Sequence, residues 1–375
     1  MIKILSYSFL LVLGLVGSQF RAGFGDEFIK LGTMFSLSFI MIYVGYEFEI
    51  DKSNPKKYAW DYVVSATAAA FPWMFCAAYF IWMLDMNSWN DALLLTHFSS
   101  PTSAGVLFSM LTSAGLASTW VFRKIRILAI FDDLNIILLL VPLKIMMVGL
   151  KWELIVVILV LVFLLCLAWR FLHLLRLPIS WPWAIFYALV ITGLCETLDL
   201  SSRFIHDAVP AYIEVLFLAF VLGCMLERPP GQNPHTDDKR IGHLEGPEDS
   251  HTQLVLAIVV SIFMIMVGLS MPPILADGIL WSVLAGHVIL VTLISNLGKM
   301  FPLLCYRKEA SLRERLAVSI GMFPRGEMGA GVLVISMGYG LSGMPLTVAV
   351  FSLTLNLLLT GLFVIGVKEL IGTEP

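Results

Sequence analysis

Asp132 and Asp133 stand side by side in "ILAIFDDLNIILLL", Ile127 to Leu140, a stretch with no other charge. A carboxylate is a hard anionic oxygen ligand that can hold a small cation or a proton, but hardly both at once. Competition between the two is in itself a mechanism for exchange: protons displace the ion on one side of a barrier, and the ion displaces protons on the other. Two cations lie in similarly apolar surroundings, Lys299 in "SNLGKMFP" and Arg325 in "GMFPRGEMG", where Glu327 follows. Consecutive helical positions point about 100° apart, so the two aspartates cannot do the same job facing the same way. One can pair with Lys299 while the other faces a water-filled cavity.

The elements that must position these groups are apolar runs. Of 375 residues, 59% are hydrophobic and 14% charged, and the hydrophobic ones come in long runs separated by short polar breaks. That pattern belongs to an all-α polytopic membrane protein. Twelve transmembrane segments are expected at about 4–18, 31–48, 57–84, 92–112, 121–149, 152–175, 181–198, 210–226, 253–271, 278–305, 312–338 and 344–367. At about 1.5 Å per helical residue, Asp133 lies roughly 15 Å from Arg123, Arg325 roughly 15 Å from Arg315, and Lys299 about 12 Å from Arg307. Half of a ~30 Å hydrocarbon core is ~15 Å, so three segments bring charge to one depth. Left uncompensated, Asp132, Asp133 and Lys299 would cost about 8 to 10 kcal/mol to insert there, so mutual pairing and access to water must offset that cost.

Charge bias orients the chain. With twelve spans, the amino terminus and the even-numbered loops hold 17 of the 24 basic residues. The positive-inside rule therefore puts both termini in the cytoplasm. The first run, "ILSYSFLLVLGLVGS" after Lys3, is short enough to be read also as a cleaved signal peptide. The five cysteines sit singly inside segments with no metal or redox spacing, which reads as packing. A net charge of −3 points to no nucleic-acid partner. The chain divides into a first half, 1–226, a polar cytoplasmic linker, 227–251, with three of the seven histidines, and a second half, 252–375.

The halves repeat each other. "FIMIYVGYEF" (Phe39 to Phe48) matches "IFMIMVGLSM" (Ile262 to Met271) at an offset of 223 residues, and "SAGVLFSM" (Ser103 to Met110) matches "GAGVLVISM" (Gly329 to Met337) at 226. Segments 2 and 4 run inward where 9 and 11 run outward, so the halves are inverted. Inverted-topology repeats are the build of secondary transporters, whose site lies near the midplane where discontinuous helices meet. Each matched stretch "AGVL" follows a breaker: "HFSSPTS" with Ser99, Ser100, Pro101 and Thr102, and "GMFPRGEMG" with Pro324, Gly326 and Gly329. Proline removes a backbone donor and obstructs an earlier carbonyl; hydroxyls at the break can satisfy the freed groups or offer oxygens to an ion. At the second break, Arg325 and Glu327 can offset the exposed helix dipoles.

Several stretches together resemble the cation:proton antiporter-2 family, the sodium/proton exchangers of NhaA and NapA type. They are "FIMIYVGYEFEID", "SSPTSAGVLFSMLTSAGLAST", "LAIFDDLNIILLL", "LAFVLGCML", "NLGKMF" and "GMFPRGEMG". The resemblance implies an NhaA-type fold with two broken crossing helices and no cofactor. It makes Asp133 the carboxylate that binds Na+ (or Li+) and H+, with possible ligands in Asp132 and Ser100, and it makes Asp132 the partner of Lys299. It further implies a core ion-transport domain (segments 3–5 and 10–12) that moves as an elevator against a dimerisation domain (segments 1, 2, 8, 9 and neighbours) in a homodimer. Exchange of two H+ per Na+ across a bacterial inner membrane is expected with a double aspartate. The Ser-Ser-Pro break departs from the Thr-Asp-Pro or Ala-Thr-Ser of relatives. No nucleotide-binding domain follows "VKELIGTEP", which speaks against the potassium-efflux branch. A K+/H+ antiporter and a same-fold symporter of an organic anion are the alternatives.

Overall fold

The computed structural model describes residues 2–20, 25–46, 55–148, 159–160, 162–164, 166–167, 169–171, 174–178, 180–205, 215–227, 250–270 and 281–372. Among these the regular structure is helical, apart from one isolated bridge between Leu175 and Leu226. The helices are α1 (Ile2–Gln19), α2 (Asp26–Tyr46), α3 (Pro55–Met83), α4 (Trp89–Thr96), α5 (Ala104–Ser113), α6 (Trp120–Val148) and α7 (Trp181–Ile205). There follow α8 (Val215–Met225), α9 (Ser250–Leu269), α10 (Trp281–Gly298), α11 (Leu312–Gly321), α12 (Glu327–Gly338) and α13 (Gly343–Ile371). Six of the described helices are long and apolar enough to cross a membrane. Half of the expected segment 152–175, Glu47, and His235 and His243 of the linker lie outside the described residues.

The helices fall into two compact units, each drawn from both halves of the sequence. One comprises Met1–Phe24, Asn54–Leu143 and Val267–Pro375; the other comprises Gly25–Ser53 and Lys144–Met266. The first thus holds α1, α3 to α5, most of α6, and α10 to α13. Helix α1, which the resemblance groups with segments 2, 8 and 9, lies in this first unit, where it packs against α5 and α13. A Cβ at Gly268, near the end of α9, would meet the α1 backbone at Leu11, Gly14 and Leu15. In the second unit, Gly45 of α2 and Gly223 of α8 approach so closely that a Cβ on either would strike the other helix's backbone.

Lipid is as apolar as leucine, so helices in a membrane associate through close backbone packing at small residues rather than by escape from water. Gly45 and Gly268 are the glycine shared by the two matched stretches, and each serves as a crossing point in its own unit. Two polar contacts tie α2 to α7 in the second unit: Ser38 Oγ lies 3.4 Å from Thr192 Oγ1, and Lys30 Nζ lies 2.7 Å from Glu196. Lys30, expected in a loop, is in the second turn of α2, and Glu196, expected near a helix end, lies well inside α7. Pairing compensates for the placement of both charges.

Two helix breaks are built from local rules. In the first, Ser88 caps α4 by accepting from Asp91 N; a 3-10 turn, His97–Ser99, ends the helix; and α5 restarts after Pro101. In the second, α11 opens with a capping box, Ser311 and Glu314 bonding each other's backbone, and ends at Gly321 before residues 323–326 run extended into α12. Replacing Gly45 by Val should overpack the α2–α8 crossing and cost about 1–3 kcal/mol. Gly193 in α7 faces open space, so Gly193→Val is the matched control. Thermal unfolding of the detergent-solubilised protein reads the difference; equal midpoints for the two variants would contradict the crossing.

Candidate ion-binding site

The two breaks meet inside the first unit. Ser103 N donates to Pro324 O at 2.9 Å, and Thr102 Oγ1 donates to Met322 O at 3.2 Å, so the non-helical residues of the two breaks bond each other. Other hydroxyls at the first break also serve carbonyls. Ser99 Oγ donates to Thr96 O at 2.8 Å, and Ser100 Oγ to Ala69 O at 3.0 Å, in the turn before Pro72 of α3. Ser99, Ser100, Thr102 and Ser103 are all fully buried.

Against this crossing lies α6. Asp132 is fully buried, and a single oxygen, Oδ2, accepts both Lys299 Nζ at 2.7 Å and Thr102 N at 2.9 Å. Thr102 stands just ahead of α5, so the carboxylate sits at a helix start, where unpaired amides favour negative charge. Among the described residues Asp132 Oδ1 has no hydrogen-bond partner. Asp133 is also buried, one position on and turned about 100° around α6. Lys299 lies within electrostatic reach of Asp132, Asp133 and Arg325.

Lys299 is carried past the end of α10, and what permits this is the fit of that end to α3. A Cβ at Gly298 would land on the Pro72 backbone, so glycine alone allows the approach. The turn is closed by Lys299 N donating to Asn296 O at 3.1 Å.

Arg325 is fully buried and spends its guanidinium on four acceptors. Nε donates to Ser99 O at 2.8 Å, Nη2 to Ser295 O at 3.0 Å, and Nη1 to Asn296 Oδ1 at 2.7 Å and Phe323 O at 3.4 Å. The carbonyls belong to the ends of α4, α10 and α11, where partial negative charge gathers. One cation thus serves three helix ends, more than the single break at which the sequence reading put it. The side chain of Glu327 lies outside the described residues.

Asp132, Lys299, Arg325, Pro324 and the Ser99–Thr102 break are therefore brought together, with Asp133 on the adjoining face of α6. Asn296 escaped the sequence reading. Its signal was present: an amide in the apolar run "LISNLGKMF", one turn before the lysine. His287 has Nδ1 2.7 Å from Tyr79 Oη; His97 is fully buried, edge-on to Trp73 at 5.2 Å. Among the described residues no group of three or more His, Cys, Asp or Glu could hold a metal ion together. A cation here would rest on one or two carboxylates plus backbone and hydroxyl oxygens.

Comparison with known proteins bears on what such a site serves. The chain has the fold of the sodium proton antiporter MjNhaP1 from Methanocaldococcus jannaschii, with a TM-score of 0.58 and 16% identity over 98% of this chain and 92% of that one. No curated protein matches it in sequence. The model of the transmembrane sodium/hydrogen exchangers, however, matches residues 1–367, nearly the whole chain. The protein belongs to the transmembrane sodium/hydrogen exchanger family.

Proposed function

We propose that the protein is a cation:proton antiporter-2 exchanger that moves Na+ or Li+ against H+ by alternating access, with Asp133 as the carboxylate that carries ion and proton in turn. The observation that carries this reading is the 2.7 Å contact of Lys299 with Asp132 Oδ2. Asp132 is committed to a lysine and a backbone amide, and an identical carboxylate, Asp133, stands buried on the adjoining face of α6. A brace between α6 and α10 needs one aspartate; the second has another task.

The rest of the arrangement serves that task. The crossing breaks offer backbone oxygens and amides at the depth of the carboxylates, and Arg325 balances the carbonyl ends, so the local charges sum to about zero before an ion enters. The resident Lys299 and Arg325 would repel a second cation, which favours occupancy by one ion or by protons. The double aspartate supports an electrogenic stoichiometry of two H+ per Na+. The glycine shared by α2 and α9, and the breaks shared by the α4–α5 and α11–α12 pairs, support twelve spans in inverted repeats of the NhaA type with both termini cytoplasmic. In the proposed assembly, a homodimer in a bacterial inner membrane, the unit carrying α3 to α6 and α10 to α13 is the moving elevator. The unit carrying α2, α7, α8 and most of α9 is the dimerisation domain.

Proteoliposomes with an internal pH dye, challenged with sodium, lithium or potassium, test the exchange. Asp133→Asn should abolish cation-driven proton movement; a wild-type rate would sink the assignment. Under a clamped membrane potential the wild-type rate should follow the imposed voltage, and indifference to voltage would remove the two-proton stoichiometry. Lys299→Ala should destabilise the fold by about 3–5 kcal/mol, because it strands a buried carboxylate. Adding Asp132→Asn removes that charge and should recover part of the loss in a thermal melt.

A further inference from the structure

A second buried ionic cluster lies in the same unit, away from the exchange site. Asp61 of α3 is fully buried and accepts three hydrogen bonds: Lys124 Nζ of α6 at 3.0 and 3.2 Å, and Tyr306 Oη at 2.7 Å. Lys124 is itself 3% exposed; its ammonium lies 3.5 Å from the part-exposed Glu309 and 4.3 Å from the centre of the Tyr306 ring. One turn along both helices, Ser65 Oγ of α3 donates to Leu128 O of α6 at 2.8 Å.

Tyr306 has been bent into this place. Its φ of 54° is left-handed, a conformation that a bulky residue adopts only where its surroundings impose it. What imposes it is the hydroxyl bonded to Asp61 and the ring face turned to Lys124. Burial, and after it the Asp61 carboxylate, hold the phenol well above its ordinary titration range, so it remains a donor to Asp61 at any working pH.

The cluster repeats, at another level, the connection made at the site. Lys124 precedes Asp132 by eight residues in α6, and Tyr306 follows Lys299 by seven beyond α10. Helix α6 runs away from the cluster towards its aspartate, and past the end of α10 the chain runs from Lys299 through a 3-10 turn, Phe301–Leu304, to Tyr306. The two are therefore joined twice, by Asp132 with Lys299 and by Asp61 bridging Lys124 to Tyr306. If the upper pair loosens as an ion or proton arrives, the lower one still opposes axial sliding of α6 against the segment from Lys299 to Tyr306.

We propose that Asp61, Lys124 and Tyr306 form a register clasp, a set of positioning residues that keeps Lys299 level with Asp132 and so sets the cation affinity of the neighbouring Asp133. The proposal rests on the assignment of Asp132 and Asp133 to the transport site. A brace needed only for folding would leave sodium affinity unchanged in any variant that still folds.

Sodium-driven proton movement in proteoliposomes of the full chain separates these. With Asp61→Asn the sodium concentration for half-maximal rate should rise about tenfold, and with Tyr306→Phe about threefold, in keeping with the modest net worth of one hydrogen bond. The maximal rate should change less than the half-saturation. A wild-type half-saturation in folded variants, or a fall in maximal rate alone, overturns the clasp. Should Asp61→Asn fail to fold, Tyr306→Phe, which removes one hydroxyl and no charge, decides by itself. Asp133→Asn is run beside them. Wild-type transport by that variant overturns the site assignment and the clasp with it; an inactive Asp133→Asn beside clasp variants of wild-type affinity overturns the clasp alone.

Discussion

A lysine and an aspartate that must meet without water are the constraint around which the first unit is arranged. Taking both charges out of water costs several kcal/mol per ion, and Coulomb attraction repays it only with excellent geometry and further hydrogen bonds. The 2.7 Å contact of Lys299 with Asp132 supplies the geometry, and the Thr102 amide supplies the further bond. That amide is available only because Pro101 has interrupted the helix. The Gly298 approach to Pro72 is what lets the lysine-bearing turn come close. Helix break, glycine contact and ion pair are therefore parts of one solution.

Breaking two helices in a membrane creates a second problem, because the freed amides and carbonyls have no water to bond. The structure sorts them by sign. The Thr102 amide, just ahead of α5, bonds the Asp132 carboxylate; carbonyls at the ends of α4, α10 and α11 face the Arg325 guanidinium; and the two breaks bond each other through Ser103 and Pro324. Arginine suits this position because its planar fork keeps several donors in fixed directions, where a lysine would present a point charge. The described contacts of the second unit include a glycine crossing, a pair of hydroxyls and the ion pairs Lys30–Glu196 and Arg176–Glu227.

Much of this was legible in the chain, and unevenly so. Breaks show themselves because Pro101 and Pro324 carry local backbone constraints that no packing removes. The expected depth of Asp133, Lys299 and Arg325 follows from counting residues at a fixed rise. The load on Arg325 was less visible: the sequence shows one break beside it, while two of its acceptors come from Ser295 and Asn296, about thirty residues away along the chain. Asp61 was invisible for a different reason. It follows Lys56 and Lys57 at the start of an apolar run, where a carboxylate reads as solvated, and only the return of Tyr306 buries it. The close approach of Gly268 to α1 is likewise a contact that no local pattern reveals.

The sequence by itself determined the class of molecule: a helical membrane protein of the exchanger family, its breaks, and a set of charges at one depth. These are consequences of composition, proline chemistry and the constant rise of a helix, which act locally. Only the tertiary structure decided which of two identical neighbours receives the lysine. Asp132 and Asp133 differ by about 100° around α6, and the rotation of that helix about its axis is set by its packing against α3, α10 and the crossing breaks. Residue type cannot express that rotation, and so the pairing of Asp132 with Lys299, and the place of Asp133 on the adjoining face, come from the tertiary structure.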